Sequence, residues 1–364
     1  MAATIGDVAE RAGVSIATVS RVLSGSPGGR PQTRERVQAA ARELGYRPSG
    51  VAQSLKRRTT HTLGLIVTDI ENPFFPDLVR AVEDAAHAAG YAVLLGNGAE
   101  DPGREAAYLE LLASRRVDGL IVAASNLPER HDRWLAATAL PAVLINCADS
   151  GGRLPAILSD NRQGGRLAVE HLVGLGHRRL GLVRGPERHA ASSERQAGAE
   201  GALAGAEGAL AGADEAQPLV VVDGDAHVAG GEAAGRLLME REPETTAIVC
   251  YNDLTAIGVL RALRSSGRRV PTDVSVVGFD DIPLASYLDP PLTTIAQQTA
   301  VMGRWGVDQL LGRIAGREPD STEPLRSSPG PPIILPVRLV IRGTTGVAPI
   351  RLGGGRSDRS RSHR

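Results

Sequence analysis

Lysine, cysteine and aromatic residues are all scarce in this 364-residue chain, and each scarcity narrows what it can be. Cys147 and Cys250 stand far apart, with no CxxC spacing and no neighbouring histidine, which excludes a zinc site and a disulfide framework. Both are expected as buried small hydrophobes. No apolar run approaches the roughly 18 to 20 residues that a bilayer span needs, and the mean hydropathy is −0.09. The opening residues MAATIGDVAERAGVS lack a basic stretch followed by an apolar one, so no secretory signal is expected. A cytoplasmic, nucleoid-associated protein is the expectation. Aromatics make up 3% of the chain, with three Phe in total, so each Phe position is informative.

The formal net charge of zero hides an asymmetry. Residues 1–60 hold 10 basic side chains against 4 acidic, whereas residues 61–344 hold 26 against 36. The last twenty residues add five Arg against one Asp, and of all 41 basic residues only Lys56 is a lysine. A basic head on an acidic body points to a polyanion as the partner of the head.

Residues 4–58 show short helical patterns broken at Gly13, at 24–29 and at Arg47-Pro48, the texture of a small all-α headpiece. From Thr62 short apolar runs alternate with amphipathic stretches: TLGLIVTDI, AVLLG, GLIVA and AVLIN, then RLGLVR, PLVVV, AIVCY and SVVGF. Strands alternating with helices predict parallel sheets in α/β layers. Two sets of about five strands exceed one compact unit, so the body splits into two lobes with a ligand cleft between them. EGALAGA occurs twice in succession over 200–213 and reads as a helix extension; the tail RLGGGRSDRSRSHR cannot bury a core.

In the headpiece Thr4 caps a helix over 5–11, Gly13 supplies a tight turn, and Ser15 caps a second helix over 16–23. Ala9, Gly13, Val19 and Val22 have the spacing of a helix-turn-helix. A third helix over 33–44 offers Val37, Ala40, Ala41 and Leu44 to close the core. The outer face of the second helix then presents Ile16, Ala17, Ser20 and Arg21, where Arg21 suits guanine O6 and N7 and Ile16 suits a thymine methyl. Thr4, Ser15 and Thr18 complete the candidate DNA contacts of the head. In RPSGVAQSLKRR, Ser49, Val51, Ala52, Leu55 and Lys56 form a candidate hinge helix whose Leu55 could wedge between base steps in the minor groove. An ordinary linker with an incidental Leu is the plain alternative.

TIGDVAERAGVSIATVSRVLSG, TRERVQAAARELGYRPSGVAQSL, NPFF, RVDGLIV, HLVGLGHRRLGLVRGP, YNDLTAIGVL, DVSVVGFDD and PPLTTI occur in this order. With these motifs the chain resembles the lactose-repressor (LacI/GalR) family from Thr4 to about Thr345, and most closely its ribose-repressor-like branch. The resemblance implies a homodimer that binds a palindromic operator and is controlled by a small effector held in the cleft of a body similar to type I periplasmic sugar-binding proteins. It implies a headpiece over 1–48, a hinge over 49–60, an effector and dimerisation domain over 61–345 and a tail over 346–364. Lobe 1 is expected at about 61–159 and 290–322 and lobe 2 at 160–289 and 323–345, with crossings near Ser159, Asp289 and Glu323. Ile16, Ala17 and Arg21 match base-reading positions, and Leu55 matches the intercalating leucine.

Phe74, Phe75 and Phe279 fall at carboxyl ends of strands, where open α/β sheets bind ligands, although Phe279 also fits a core position. By resemblance Asp280 accepts ligand hydrogen bonds and Arg195 is the cationic anchor, with a helix-surface salt bridge as the alternative for Arg195. Asn252 and Asp160 complete the expected effector set. His189, Ala191 and Ala226 depart from the purine-repressor pattern, which favours a small pentose or hexose over a purine or another non-sugar effector. GNGAED is not GxGxxG, and GxxxxGK[ST] and GxSxG are absent, so an enzyme, a cofactor and a metal are not expected. Repression is the expected output; operator position decides between repression and activation.

Overall fold

The computed structural model describes residues 3–23, 30–46, 59–123, 128–209, 218–316 and 330–349. The headpiece is three helices, α1 (Ile5–Ala12), α2 (Ile16–Leu23) and α3 (Pro31–Glu43). Thr4 and Asp7 form a reciprocal capping box that starts α1. Gly13 ends it at φ 63°, a left-handed conformation that glycine adopts without a Cβ penalty. Val8, Val19, Val22, Val37, Ala40 and Ala41 are buried together, so a few small apolar side chains close this core.

The body runs β1 (Thr62–Val67), α4 (Phe74–Ala88), β2 (Ala92–Asn97), α5 (Pro102–Ser114), β3 (Gly119–Ala123), α6 (Glu129–Ala137), β4 (Ala142–Ile145) and β5 (Ala156–Ser159). It continues with α7 (Asn161–Gly174), β6 (Leu180–Arg184), α8 (Ala190–Ala209), β7 (Val220–Asp223), α9 (Val228–Arg241), β8 (Ala247–Cys250), α10 (Asp253–Ser265) and β9 (Ser275–Asp280). A 3₁₀ turn (Pro283–Tyr287), β10 (Thr293–Ala296), α11 (Thr299–Ile314), β11 (Ile333–Leu335) and β12 (Arg338–Val340) complete it.

The two sheets have six strands each, ordered β11-β5-β4-β3-β1-β2 and β12-β10-β9-β8-β6-β7. The expected five become six because the returning chain adds β11 to one sheet and β12 to the other. All pairings are parallel except β12 with β10. Central strands are apolar throughout because both faces are covered. In β3, Leu120 and Val122 enter one core while Ile121 and Ala123 enter the opposite one. In β8, Ala247 and Val249 face one core and Ile248 and Cys250 the other.

The chain leaves the first sheet at Ser159–Asp160. The other two passages differ from the expected Asp289 and Glu323. β10 still pairs with β9 in the second lobe, so the second passage is at Gln297–Gln298. β11 pairs with β5 in the first lobe, so the third is at Pro336–Val337. Asp289 precedes a cis proline within the second lobe, and Glu323 lies outside the described residues. The passages are tied together: Gln298 Nε2 donates to the Pro336 carbonyl at 2.8 Å, and the Asp160 amide to that of Leu335 at 2.9 Å.

Residues 59–60 and 346–349 join the body, not the hinge or tail assigned to them. The Thr60 amide donates to Asp118 Oδ1 at 2.7 Å, and the Ala348 amide donates to the Leu175 carbonyl at 2.9 Å. α8 carries the first EGALAGA copy and runs into the second. The remainder of the duplication from 210, the hinge candidates Ser49, Val51, Ala52, Leu55 and Lys56, and residues 350–364 lie outside the described residues. No helix among the described residues is long and apolar enough to cross a membrane.

Candidate DNA-reading head and effector cleft

α2 buries Val19 and Val22 and leaves Ile16 54% exposed, with Ala17 and Arg21 also exposed and Ser20 half-buried. One face of this helix therefore carries an apolar side chain, a small one, a hydroxyl and a guanidinium. Ser15 Oγ accepts from the Thr18 amide at 3.2 Å and lies 2.9 Å from Thr18 Oγ1, so these two hydroxyls fasten the start of the helix. Thr4 Oγ1 accepts from the Asp7 amide at 3.3 Å. A residue not singled out in the sequence, Arg36 of α3, donates from Nε to the Ala12 carbonyl at 3.2 Å and from Nη2 to that of Gly13 at 3.2 Å. This side chain clamps the turn between α1 and α2 and so sets the angle at which α2 is presented.

Between the lobes, a cleft is lined by Phe74, Phe75 and Asn72 from one side, by Ala191, Arg195, Tyr251 and Asp280 from the other, and by Gln297 at the second passage. The α/β layering explains this set: each residue follows a strand's carboxyl end, opens the next helix or lies on the connecting passage.

Arg195 is held on three sides. Its Nε donates to Asn161 Oδ1 at 2.9 Å, and Nη1 donates to the Tyr251 carbonyl at 2.5 Å. The guanidinium lies 3.4 Å from the Phe279 ring centroid and 4.8 Å from that of Tyr251. Nη2 is 3.9 Å from Asp280 Oδ1, beyond direct hydrogen-bond reach. The helix that bears Arg195 approaches α7 backbone to backbone: a Cβ on Gly165 would lie 2.0 Å from the Arg195 carbonyl oxygen, and one on Gly198 2.0 Å from that of Arg162.

Asp280 accepts from Gln297 Nε2 at 2.7 Å and from Asn72 Nδ2 at 3.5 Å. Burial pushes its carboxyl up to about 6, while Arg195, Gln297 and Asn72 pull it back. Its φ of 117° and that of Asp281, 57°, are unusual for residues with a Cβ. Asp253 holds this turn: its Oδ2 accepts from the Ile282 amide at 2.9 Å and its Oδ1 from Thr294 Oγ1 at 2.5 Å. Burial raises the Asp253 carboxyl well above the usual carboxylate range.

Two expected effector residues take different places, and a third has structural bonds of its own. Phe279 is in the lobe-2 core beneath Arg195 and is not among the lining of the cleft, so it serves as a platform for the guanidinium. Asp160 caps α7 by accepting from the Gln163 amide at 2.8 Å, and its neighbour Asn161 lines the cleft instead. Asn252 does line the cleft, yet both ends of its amide are engaged. Nδ2 donates to the Ala226 carbonyl at 2.9 Å, while Oδ1 accepts from the Thr255 amide at 2.8 Å and its hydroxyl at 2.7 Å. Its part is to cap α10 and fix the Ala226 turn.

Asn72, Asn146, Asn161, Tyr251 and Gln297 were not selected from the sequence. The signal was their position at strand ends and passages, in DIEN, LIN, SDN, CYN and TIAQ. Gln297 has the most connections: besides bonding Asp280, its Oε1 accepts from Ser159 Oγ at 2.5 Å and from Asn146 Nδ2 at 3.3 Å.

Comparison with known proteins agrees with this two-part organisation. Residues 4–49 match the model of bacterial regulatory proteins of the lacI family, and residues 60–331 match that of periplasmic binding proteins and the sugar binding domain of the LacI family. The chain is 36% identical over 342 residues to the ribose operon repressor of Halalkalibacterium halodurans, covering 94% of this chain and 97% of that one. The lac repressor dimer bound to operator and the anti-inducer ONPF superposes with a TM-score of 0.82 at 32% identity, over 95% of this chain and 100% of that one. A LacI family regulator from Enterococcus faecium with bound ribose gives a TM-score of 0.66 at 30% identity, over 79% and 99%. The chain belongs to the lacI family of bacterial regulatory proteins.

Proposed function

We propose that this protein is a cytoplasmic, nucleoid-associated repressor that binds a palindromic operator as a homodimer and is controlled by a monosaccharide in the interlobe cleft. The observation that carries the reading is the pairing of an outward face on α2, with Ile16, Ala17, Ser20 and Arg21, with a cleft that faces a carboxylate and a guanidinium across buried amides. The first arrangement suits base edges in a major groove. The second suits a polyhydroxylated ring: Asp280 accepts from hydroxyls, Arg195 donates to them, and Phe74 and Phe75 supply apolar faces, while the amides of Asn72 and Asn161 hold Asp280 and Arg195 in place. The ribose-bound neighbour supports a sugar as the effector class.

Control follows from where Gln297 sits. It bonds Asp280 of one lobe and Ser159 and Asn146 of the other, so a ligand that takes over Asp280 changes what holds the passages. A change of lobe angle at these passages alters the setting of the two heads. For the homodimer, β2 is an edge strand with Leu94 and Leu95 exposed, and Leu284 and Tyr287 are exposed on the second lobe, offering apolar area on both lobes. The operator contacts of the hinge, through Ser49, Val51, Ala52, Leu55 and Lys56, complete the proposal.

The test is selection of bound duplexes from a random DNA pool by the full-length protein, with and without D-ribose. Recovery of a palindrome, with a yield that changes with the sugar, is the expected result. Sequence-blind, salt-sensitive binding under both conditions would overturn it.

A further inference from the structure

The outer edge of the cleft is spanned by polar contacts between the lobes, one of them an ion pair. Glu100 lies in the turn after β2 and is aimed across the cleft. Its carboxylate pairs with Arg188, and its Oε1 is 3.8 Å from His189 Nε2. The Glu100 side chain is 16% exposed and that of His189 only 3%, whereas Arg188 is half exposed, so the carboxylate sits inside the cleft edge with the guanidinium at its solvent side. A second contact, between Asp69 and His227 Nδ1 at 3.9 Å, spans the same edge.

The turn that presents Glu100 is built to hold it there. Ala99 and Glu100 have φ of 48° and 57°, a conformation that costs a residue with a Cβ roughly 1 kcal/mol or more. Three bonds keep it: Gly98 amide to Val67 carbonyl at 2.9 Å, Glu100 amide to Thr68 carbonyl at 3.0 Å, and Asp101 amide to Gly98 carbonyl at 3.0 Å. Beneath it, Glu105 packs so closely that a Cβ on Gly98 would lie 2.5 Å from its Cγ. On the opposite lobe His189 Nδ1 is 3.2 Å from the Tyr251 hydroxyl, and Tyr251 lines the cleft. Arg188 and His189 lead directly into α8, which contributes Ala191 and Arg195 to the same wall.

We propose that Glu100 is a specificity-determining residue: its bridge to Arg188 and His189 closes the outer end of the cleft, admitting a compact monosaccharide and excluding ligands that extend past Ala191, such as nucleosides and disaccharides. This rests on the reading of the cleft as a sugar site. A longer ligand must part Glu100 from Arg188 and leave a largely buried carboxylate unpaired, which discriminates by penalty on the wrong ligand, not by added contact with the right one. The tightly bonded turn also leaves Glu100 no cheap alternative position.

The test uses full-length wild type, Glu100→Ala and Glu100→Gln in calorimetric titrations with D-ribose, D-glucose, adenosine and cellobiose, together with ligand-free hydrogen exchange. Glu100→Ala is expected to retain monosaccharide binding and to bind adenosine or cellobiose at least about tenfold more tightly than wild type does. Exchange over 186–192, on the opposite lobe, is expected to rise in Glu100→Ala, with Glu100→Gln between the two. Unchanged discrimination in Glu100→Ala, wild type binding cellobiose as tightly as a monosaccharide, or exchange altered only around residue 100 would each overturn the proposal. If wild type binds neither monosaccharide, the sugar reading of the cleft fails, and exchange over 186–192 still decides whether Glu100 bridges the lobes.

Discussion

The guanidinium carbon of Arg195 lies 3.4 Å from the centroid of the Phe279 ring. One of the three phenylalanines in the chain is thus spent on supporting a cation and not on meeting a ligand. The stack, the bond to Asn161 and the bond to the Tyr251 carbonyl fix the guanidinium plane, which lowers the entropy to be lost when a ligand binds it. Arg195→Lys keeps the charge and loses the planar fork and the stack. D-ribose affinity is expected to fall about tenfold or more by calorimetry, with operator binding in the absence of sugar unchanged in an anisotropy titration.

Gly165 marks the closest approach of α7 to α8, with no room for a Cβ in front of the Arg195 carbonyl. Gly165→Ala forces the two helices apart and displaces Arg195 with them. A loss of about 3 kcal/mol of stability in denaturant unfolding is expected, together with weakened sugar binding. Gly201→Ala on the facing helix α8, where nothing lies within 4 Å of the new Cβ, is the control and should be neutral or slightly stabilising.

Arg36 joins α3 to the turn between α1 and α2 through the Ala12 and Gly13 carbonyls. Removing it in Arg36→Ala is expected to loosen the headpiece by about 1.4 kcal/mol. Hydrogen exchange over 5–43 should then rise about tenfold where it proceeds through headpiece opening, while exchange in the body stays as in wild type.

Much of this was legible in the sequence because periodicity and strand-to-helix alternation dominate both parts. α2 begins and ends where the pattern places it, and β3 is the apolar run GLIVA. The short strands β5, β11 and β12 were not legible: β5 follows β4 and β12 follows β11 with no helix between, outside the alternation that marks strands such as β4, β7 and β8. That is also why two passages were misplaced: each is defined by which sheet a short strand joins. Within the cleft, Asp280 and Arg195 stood out by chemical type. Gln297 did not, because its role depends on three partners far apart in the chain. Asn252 was legible as a polar residue at a strand end, but its capping of α10 was not.

Glu105 and His131 are buried 3.4 Å apart in lobe 1, and both are driven towards their neutral forms. Burial pushes the Glu105 carboxyl up to about 7 and pulls the His131 imidazole down, so burial works against the two groups being charged together. A carboxyl raised in the folded state adds stability that is complete below its unfolded value of 4.5 and is lost as the pH rises through about 7. The contribution is about 3 kcal/mol. Glu105→Gln should therefore lose less stability than wild type between pH 5 and pH 8, as read by denaturant midpoints across that range. A wild type and variant with parallel pH profiles would show that Glu105 does not titrate there.

The central claim is that the α2 face reads sequence while the cleft controls the reading. It is tested most directly by anisotropy titration of the selected palindrome and a scrambled duplex, with and without D-ribose, using wild type, Arg21→Ala and Asp280→Asn. Arg21→Ala is expected to lose discrimination between the duplexes and keep sugar binding. Asp280→Asn is expected to keep discrimination and lose the response to the sugar. Discrimination that survives Arg21→Ala, or a sugar response that survives Asp280→Asn, would contradict the account.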